Sequence, residues 1–128
     1  MAKKQGIVME LDIRPLAMPR PRFTRNGHTY MPKIWTKYKD SVGFLALQAM
    51  SKARAKILKG ELGVEIDFYF KRKPRGDIDN YIKALLDSLT GITYEDDKQI
   101  ISIDAVINIA GWEGISVSIK QFEKSGVI

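Results

Sequence analysis

The sequence predicts an α+β domain in which a mixed β-sheet packs against two main helices. Three observations support this: segments in which every second residue is apolar, two segments with apolar residues at helical spacing, and the order of these segments. That order is β-loop-α-β-α-β-β, which is typical of a mixed sheet with its helices on one face. All 128 residues, 1–128, are expected to form this single domain.

The first half is predicted to contain one strand, one long loop and one helix. Residues 7–13 alternate between apolar and polar side chains, as in a half-buried strand. Residues 14–32 are predicted to be a long loop, because four prolines and an Asn-Gly pair interrupt regular structure. From Lys33 to about Leu58, apolar residues recur at helical spacing and lysines occupy the other faces.

The second half is predicted to contain three strands and the second helix. Residues 64–70 alternate as a strand and lead into a basic loop over residues 71–76. Asp77 to about Leu89 carries a continuous apolar stripe, which predicts a helix. Residues 99–109 and 115–122 are rich in β-forming residues and are joined by a short turn, which predicts a β-hairpin.

The composition excludes several classes of site. Without cysteine, the chain has no disulfide and no cysteine-based zinc or iron-sulfur site. Its single histidine, His28, follows Gly27 and is expected at an exposed loop tip. Any metal must therefore bind mainly carboxylates, which favours a hard cation such as Mg²⁺ or Mn²⁺. No apolar run approaches the ~20 residues of a membrane span, so a cytoplasmic protein without a membrane partner is expected.

Charge is distributed unevenly along the chain. Residues 1–59 carry 13 Lys and Arg against 3 Asp and Glu, whereas residues 60–128 carry 8 against 12. This division indicates a polyanion-binding surface beside a carboxylate-rich site, although a basic run can also be a solvated face that aids solubility. Nucleic acid is the expected polyanion. The candidate contacts are Arg20, Arg22, Arg25, Lys71, Lys73 and Arg75, with Phe23 and Tyr30 close to the first three in sequence.

Acidic residues gather around the start of the second helix. Asp77 precedes that helix, Asp79 lies in its first turn, and Asp96 or Asp97 can approach from the strand that returns near residue 99. Three carboxylates within ~4–6 Å repel one another unless a cation lies among them. Mg²⁺ fits such a site, because it binds carboxylates together with water and phosphate oxygens. Lys83, one helical turn after Asp79, is placed to stabilise the charge of a phosphodiester transition state.

These acids also have a structural explanation. Asp77 is well placed to cap the helix, with its side chain accepting a hydrogen bond from a backbone amide. Asp79, Lys83 and Asp87 are spaced i, i+4 and i+8, so they share one helix face. They can form an exposed ladder of alternating charge that stabilises the helix by roughly a few tenths of a kcal/mol per pair.

The same residues resemble a known family. The segment from Arg75 to Leu89 contains the pattern Asp-x-Asp-Asn-x-x-Lys-x-x-x-Asp, and the pair Asp96-Asp97 follows it. Together they resemble the core signature of the RusA family of Holliday junction resolvases. Residues 20–24, with Tyr30 and Pro32, resemble the amino-terminal segment of a Gram-positive and phage branch of that family.

The resemblance implies a small, homodimeric, Mg²⁺-dependent endodeoxyribonuclease that binds four-way DNA junctions and makes paired nicks, with Mn²⁺ as a substitute metal. The family's three essential aspartates fall on Asp77, Asp79 and Asp97, its catalytic lysine falls on Lys83, and Asp96 is the second choice for the third metal ligand. A two-fold dimer with one site per subunit suits two matched incisions in a junction of approximate two-fold symmetry. Such an enzyme is expected beside the nucleoid of a bacterial or phage-infected cell.

Two other functions share parts of this pattern. A metal nuclease specific for flaps or forks would have the same active site and read a different DNA shape. A non-catalytic DNA-binding protein would bind without Mg²⁺ and lose little on Asp79→Asn. Phe23 and Tyr30 are expected either to pack the long loop onto the domain or to stack on opened base pairs at the crossover.

Overall fold

A computed structural model describes residues 5–122 of the chain. Its elements, in chain order, are β1 (Gly6–Leu11), β2 (Arg22–Phe23), β3 (Thr29–Tyr30), α1 (Lys33–Lys52), β4 (Leu62–Phe70), α2 (Ile78–Leu89), a 3-10 turn (Asp97–Gln99), β5 (Ile100–Ile109) and β6 (Gly114–Gln121). The predicted α+β class and element order are confirmed, and the long loop also contains a small hairpin of β2 and β3. No helix in the described residues is long and apolar enough to cross a membrane.

The main sheet is mixed and has the strand order β1-β6-β4-β5. β6 pairs antiparallel with both β1 and β4, whereas β4 and β5 run parallel. The predicted hairpin of β5 with β6 is wrong, because β4 lies between these strands. Residues 110–113 cross the end of β4, where the Ala110 amide donates a hydrogen bond to the Phe70 carbonyl (2.9 Å). Every second side chain of β4 is buried, and so apolar a strand suits the centre of a sheet better than an exposed edge.

Both helices pack on one face of the sheet. Alternate side chains of β1, β4 and β6 are buried in a single cluster to which α1 and α2 also contribute. α1 contacts α2 and β1, and α2 contacts β5. The opposite face stays open, and Glu10, Glu65 and Asp104 are exposed there. The predicted arrangement, with both helices on one face of a mixed sheet, is therefore confirmed.

Helix α1 ends at Lys52, before the predicted end near Leu58. Arg54 adopts a left-handed conformation (φ 52°) directly after the helix. The chain then turns so that Leu58 is buried, and its amide donates to the Thr93 carbonyl (2.8 Å). The helix therefore ends before Leu58 pairs with the segment after α2, although no glycine or proline marks the helix end.

Candidate active site

The long loop is fixed against the start of α2. The Met18 amide donates a hydrogen bond to the Asn80 carbonyl (3.0 Å). Gly76 allows this close approach, since a Cβ there would lie 3.0 Å from the Cβ of Ala17 and 3.1 Å from a ring carbon of Tyr81. Real Cβ atoms seldom approach other groups so closely. Because Gly76 has no side chain, the loop can lie directly beside the acidic motif.

The two aspartates at the start of α2 are exposed. Asp77 precedes the helix in an extended conformation (φ −79°, ψ 147°), but its side chain accepts no capping hydrogen bond. The Asn80 amide donates instead to the Asp77 carbonyl (3.1 Å) and to Oδ1 of Asp79 (3.0 Å). The explanation of Asp77 as a side-chain cap is therefore wrong, and its carboxylate is available for another role.

A cleft of about 540 Å³ opens between α2, α1 and the long loop. The fold brings Lys83 and Asp97, two of the residues predicted to be catalytic, into this cleft. Asp77 and Asp79 do not line it and lie at the amino-terminal end of α2. The cleft is lined by Met18, Pro19, Pro21, Met31, Trp35, Lys39, Lys83, Asp87, Thr90 and Asp97.

Asp87 belongs to this cleft, although its sequence position predicted only an exposed ladder. Burial is the main cause that raises the pKa of its carboxyl; the charge of Lys83 opposes this rise, Asp97 adds to it and Lys39 opposes it. Two carboxylates and two ammonium groups therefore lie within electrostatic reach of one another. The spacing of i+4 from Lys83, which places both residues on one helix face, was the available sequence signal.

Asp96 and Asp97 have different surroundings despite being neighbours. The Asp96 side chain caps the 3-10 turn by accepting a hydrogen bond from the Lys98 amide (2.9 Å), which lowers the pKa of its carboxyl. The Gln99 side chain accepts a hydrogen bond from the Asp96 amide (3.0 Å) and donates to the Leu58 carbonyl (3.0 Å). Asp96 thus has a structural role, whereas Asp97 lines the cleft.

Tyr94 ties the segment that carries Asp97 to helix α2. Its side chain is fully buried, and its hydroxyl donates a hydrogen bond to the Leu86 carbonyl (2.5 Å). Burial raises the pKa of the Tyr94 hydroxyl, so it remains a neutral donor. This contact holds the segment that carries Asp97 against the helix that carries Asp87.

The described part of the chain contains no group of three carboxylate or imidazole side chains placed to hold one metal ion. The expected set of Asp77, Asp79 and Asp97 is therefore not gathered around one point. Asp79 and Asp87 lie about 12 Å apart along α2, from a rise of about 1.5 Å per residue. Asp87 and Asp97 nevertheless form a like-charged pair that a cation would neutralise, and their oxygen donors suit a hard cation such as Mg²⁺.

The predicted DNA-binding residues form two basic surfaces. Lys71, Lys73 and Arg75 line a second cleft, of about 530 Å³, together with Arg14 and Arg72. An ion pair between Arg14 and Glu113 (3.2 Å) joins this cleft to the turn between β5 and β6. The other three candidates, Arg20, Arg22 and Arg25, are exposed on or next to the small hairpin.

The aromatic residues of the long loop face solvent. Phe23 is 72% exposed and Tyr30 is 48% exposed, so they do not pack the loop onto the domain as one of the two expectations held. His28 lies at the exposed hairpin tip, as predicted, where its amide donates to Oγ1 of Thr24 (3.1 Å). Gly27 takes the positive φ (79°) that this tight turn requires.

Comparison with known proteins gives one family. The family described as endodeoxyribonuclease RusA matches residues 12–120. The matched part contains the loop, both helices, the cleft and the basic residues after β4. None of the curated proteins compared with the chain matches its sequence. Because the family match covers most of the chain, the protein belongs to the RusA family of endodeoxyribonucleases, which resolve Holliday junctions.

Proposed function

We propose that the protein is a Mg²⁺-dependent, homodimeric enzyme that resolves four-way DNA junctions by paired symmetric nicks, with Mn²⁺ as a substitute metal. Its family supplies the endonuclease activity on Holliday junctions. The observation that carries the proposal is the cleft in which Lys83, Asp87 and Asp97 lie together, beside exposed aspartates at the start of α2. Carboxylates near a lysine suit metal-assisted hydrolysis of a phosphodiester.

The proposed metal ligands are Asp77, Asp79 and Asp97, which a bound cation would have to draw together, because without one their like charges repel. Asp77 makes no capping hydrogen bond and Asp97 lines the cleft, whereas Asp96 is occupied in capping the 3-10 turn. This difference favours Asp97 over Asp96 as the third ligand. When bound, the cation supplies an acidified water as nucleophile and offsets negative charge on the scissile phosphate.

Lys83 is proposed to stabilise the developing charge of the reaction. It is exposed on the cleft side of α2, and its charge opposes the rise that burial causes in the pKa of Asp87. An ammonium group at this position can bind a phosphate oxygen or the leaving oxygen as negative charge grows on it. Its place on a helix rather than a loop keeps the ammonium group close to the ligands.

DNA binding is assigned to the two basic surfaces. Contacts from arginine and lysine to phosphates give binding that depends strongly on salt but little on sequence. Phe23 and Tyr30 are exposed on the hairpin, and are proposed to stack on bases opened at the crossover. A junction in chromosomal or phage DNA places the enzyme beside the nucleoid in the cytoplasm.

A homodimer is proposed because one subunit offers one such cleft, whereas resolution needs two matched incisions. Sedimentation of the full chain at micromolar concentration measures the oligomeric state directly. A dimer is expected there. A monomer, both free and on junction DNA, would contradict paired nicking by this enzyme.

The decisive experiment compares cleavage of a labelled four-way junction with cleavage of duplex, flap and fork DNA. Wild type and Asp79→Asn are assayed with Mg²⁺ and with EDTA. We expect symmetric nicks in the junction that require both Mg²⁺ and Asp79. The variant should still bind the junction as tightly as wild type or more tightly, because it removes negative charge close to a phosphate.

Two results would change the proposal. Metal-dependent cutting that favours flaps or forks would keep the active site and replace the junction by another DNA shape. Junction binding with no cutting under Mg²⁺ or Mn²⁺ would leave a non-catalytic DNA-binding protein. Loss of binding in Asp79→Asn at low salt would argue that this residue supports the fold rather than the reaction.

A further inference from the structure

The cleft has two walls of opposite character. α2 and the 3-10 turn supply charged groups, including Lys83 and Asp97. The long loop and α1 supply an apolar wall on which Lys39 is the only charged residue among those described. The members of this apolar wall are Met18, Pro19, Pro21, Met31 and Trp35.

We infer that the apolar wall is a nucleoside-binding site, which holds the base next to the scissile phosphate against Trp35 and thereby selects where the strand is cut. This inference rests on the proposed function, because it assigns the charged wall to the phosphate. It commits to one occupant, a nucleoside of the DNA strand being cleaved.

The size and chemistry of the cleft support this occupant. Its volume of about 540 Å³ lies within the range of about 300–1,000 Å³ found for small-molecule sites, so it has room for a base and sugar beside the phosphate. Methionine and tryptophan offer polarisable surfaces on which bases stack, and differences in stacking strength among the bases give such a site a preference. Lys39 and Lys83, one from each helix, supply positive charge for the adjoining phosphates.

The ring of Trp35 is already positioned to stack on a base. Its ring stacks on the ring of Tyr38, with centroids 6.1 Å apart and planes 29° apart. Tyr38 is buried in the core and only 5% exposed, so it supports Trp35 from behind. A ring positioned in advance loses little conformational freedom when a base binds.

Packing of the loop alone does not account for the apolar wall. The loop is anchored further back, by Met18 to Asn80 and by Ala17 against Gly76. Beyond this anchor, Pro21 and Met31 border open volume instead of closing it against α2. An open apolar surface next to charged groups is typical of a ligand site.

The first test maps cleavage positions on a mobile four-way junction, which presents many sequences at the crossover. Trp35→Ala is compared with Trp35→Phe and with Trp112→Ala. Trp112 is the matched control, because it is the other tryptophan, is 49% exposed and stacks on Tyr69 outside the cleft. Thermal unfolding of each variant verifies that it is folded.

We expect Trp35→Ala to broaden the distribution of cleavage positions and to slow single-turnover cleavage about 10–100-fold, as removal of one base-stacking partner implies. Junction binding should weaken by at most the same factor, because the phosphate contacts that supply the rest of the affinity remain in the variant. Trp35→Phe should retain most of the preference, and Trp112→Ala should match wild type.

The second test does not depend on cleavage. Trp112→Phe leaves Trp35 as the single tryptophan, and Asp79→Asn in the same chain prevents cutting. Titration with a four-way junction should quench the Trp35 fluorescence, because a base stacked on the indole ring provides a quenching path.

The outcomes separate the two proposals. If wild type cuts no branched DNA, the proposed function fails. If wild type cuts the junction and folded Trp35→Ala gives the same positions and rate, the nucleoside site is rejected while the resolvase remains. Unchanged Trp35 fluorescence on a saturating junction would also reject the nucleoside site.

Discussion

Gly76 is a residue at which a single added methyl group should disturb the candidate site. A Cβ at this position meets the Cβ of Ala17 and the ring of Tyr81, neither of which is the end of a flexible chain. We expect Gly76→Ala to lower the free energy of unfolding by about 1–3 kcal/mol, as overpacking does, and to slow cleavage by displacing the loop. Denaturant unfolding and single-turnover cleavage measure the two effects.

Gly43→Ala is the matched control for Gly76→Ala. Its added Cβ would meet only Cδ1 of Ile92 (3.1 Å), which can move, and alanine favours the helix over glycine by about 1 kcal/mol. The control should be neutral or slightly more stable. If the two variants behave alike, the close contact at Gly76 does not hold the loop.

Asp96 and Asp97 should give opposite phenotypes. Asp97→Asn is expected to abolish cleavage with no loss of stability, because Asp97 lines the cleft and makes no cap. Asp96→Ala is expected to lower stability and to retain cleavage, and Asp96→Asn should retain the cap because an amide oxygen also accepts. Cleavage assays beside thermal unfolding decide between these roles. If Asp96→Asn abolished cleavage and Asp97→Asn did not, Asp96 would be the catalytic residue and Asp97 the structural one.

The cap at Asp96 also has a defined pH dependence. Its pKa is lowered from the ordinary value of 3.8 by the hydrogen bond from the Lys98 amide. Because the folded-state pKa is lowered, the stabilisation is present above the ordinary value and is lost as the pH falls through the lowered one. The stability difference between wild type and Asp96→Ala should therefore shrink in strong acid and stay constant near neutral pH.

The sequence predicted the acidic motif but only part of the cleft. Lys83 and Asp97 were predicted, and both line it. Trp35 and Lys39 were not, because they come from a helix that the long loop separates from β1, and no local pattern reveals which of its residues face α2. Asp87 was assigned to a solvated face, since helical spacing gives the face but not the partner that covers it.

At the scale of elements, the backbone conformation at the end of α1 can be tested by a substitution that removes the strain at Arg54. Arg54 has a positive φ (52°), which costs about 1 kcal/mol or more for a residue with a side chain. Arg54→Gly should therefore stabilise the protein by about 0.5–1 kcal/mol in denaturant unfolding. Ala53→Gly is the control, because Ala53 is right-handed (φ −80°) and should lose stability. Equal effects at both positions would contradict a left-handed helix end.

Elements with a strong periodic signal were predictable, and their partners were not. The apolar stripe of α2 and the alternation of β4 specify a helix and a strand from local residues alone. The short turn after β5 suggested a hairpin, but parallel pairing of β5 with β4 is a long-range choice. The pairing of β5 depends on which strand is stabilised most by a central position in the sheet. The residues that decide this are distributed over all four strands.

On the scale of the whole molecule, the basic residues proposed to bind DNA lie away from the open face of the sheet. The open face of the sheet bears Glu10, Glu65 and Asp104, whereas basic residues gather on the long loop and after β4. We expect this distribution to steer DNA toward the long loop and the cleft, and away from the open face of the sheet.

The double variant Arg20→Ala, Arg22→Ala tests this orientation. We expect weaker junction binding and a smaller salt dependence, with the log-log slope reduced by about 0.9 for each phosphate that is no longer neutralised. Lys120→Ala, an exposed cation on the open face of β6, should leave the slope unchanged. Binding titrations at several salt concentrations provide the slopes. An equal effect of Lys120→Ala would place DNA on the open face.

The position of β6 between β1 and β4 has a consequence for synthesis. Within the described residues β1 pairs with β6 alone. Gly6 therefore cannot pair with its partner, Lys120, until β6 has been synthesised. A nascent chain on the ribosome therefore exposes an unpaired amino-terminal strand until more than a hundred further residues have emerged. Because α1 packs on β1 and also lines the cleft, a chain interrupted before β6 cannot complete the nuclease. We therefore expect a chain that ends before β6 to be inactive rather than to cut DNA without control.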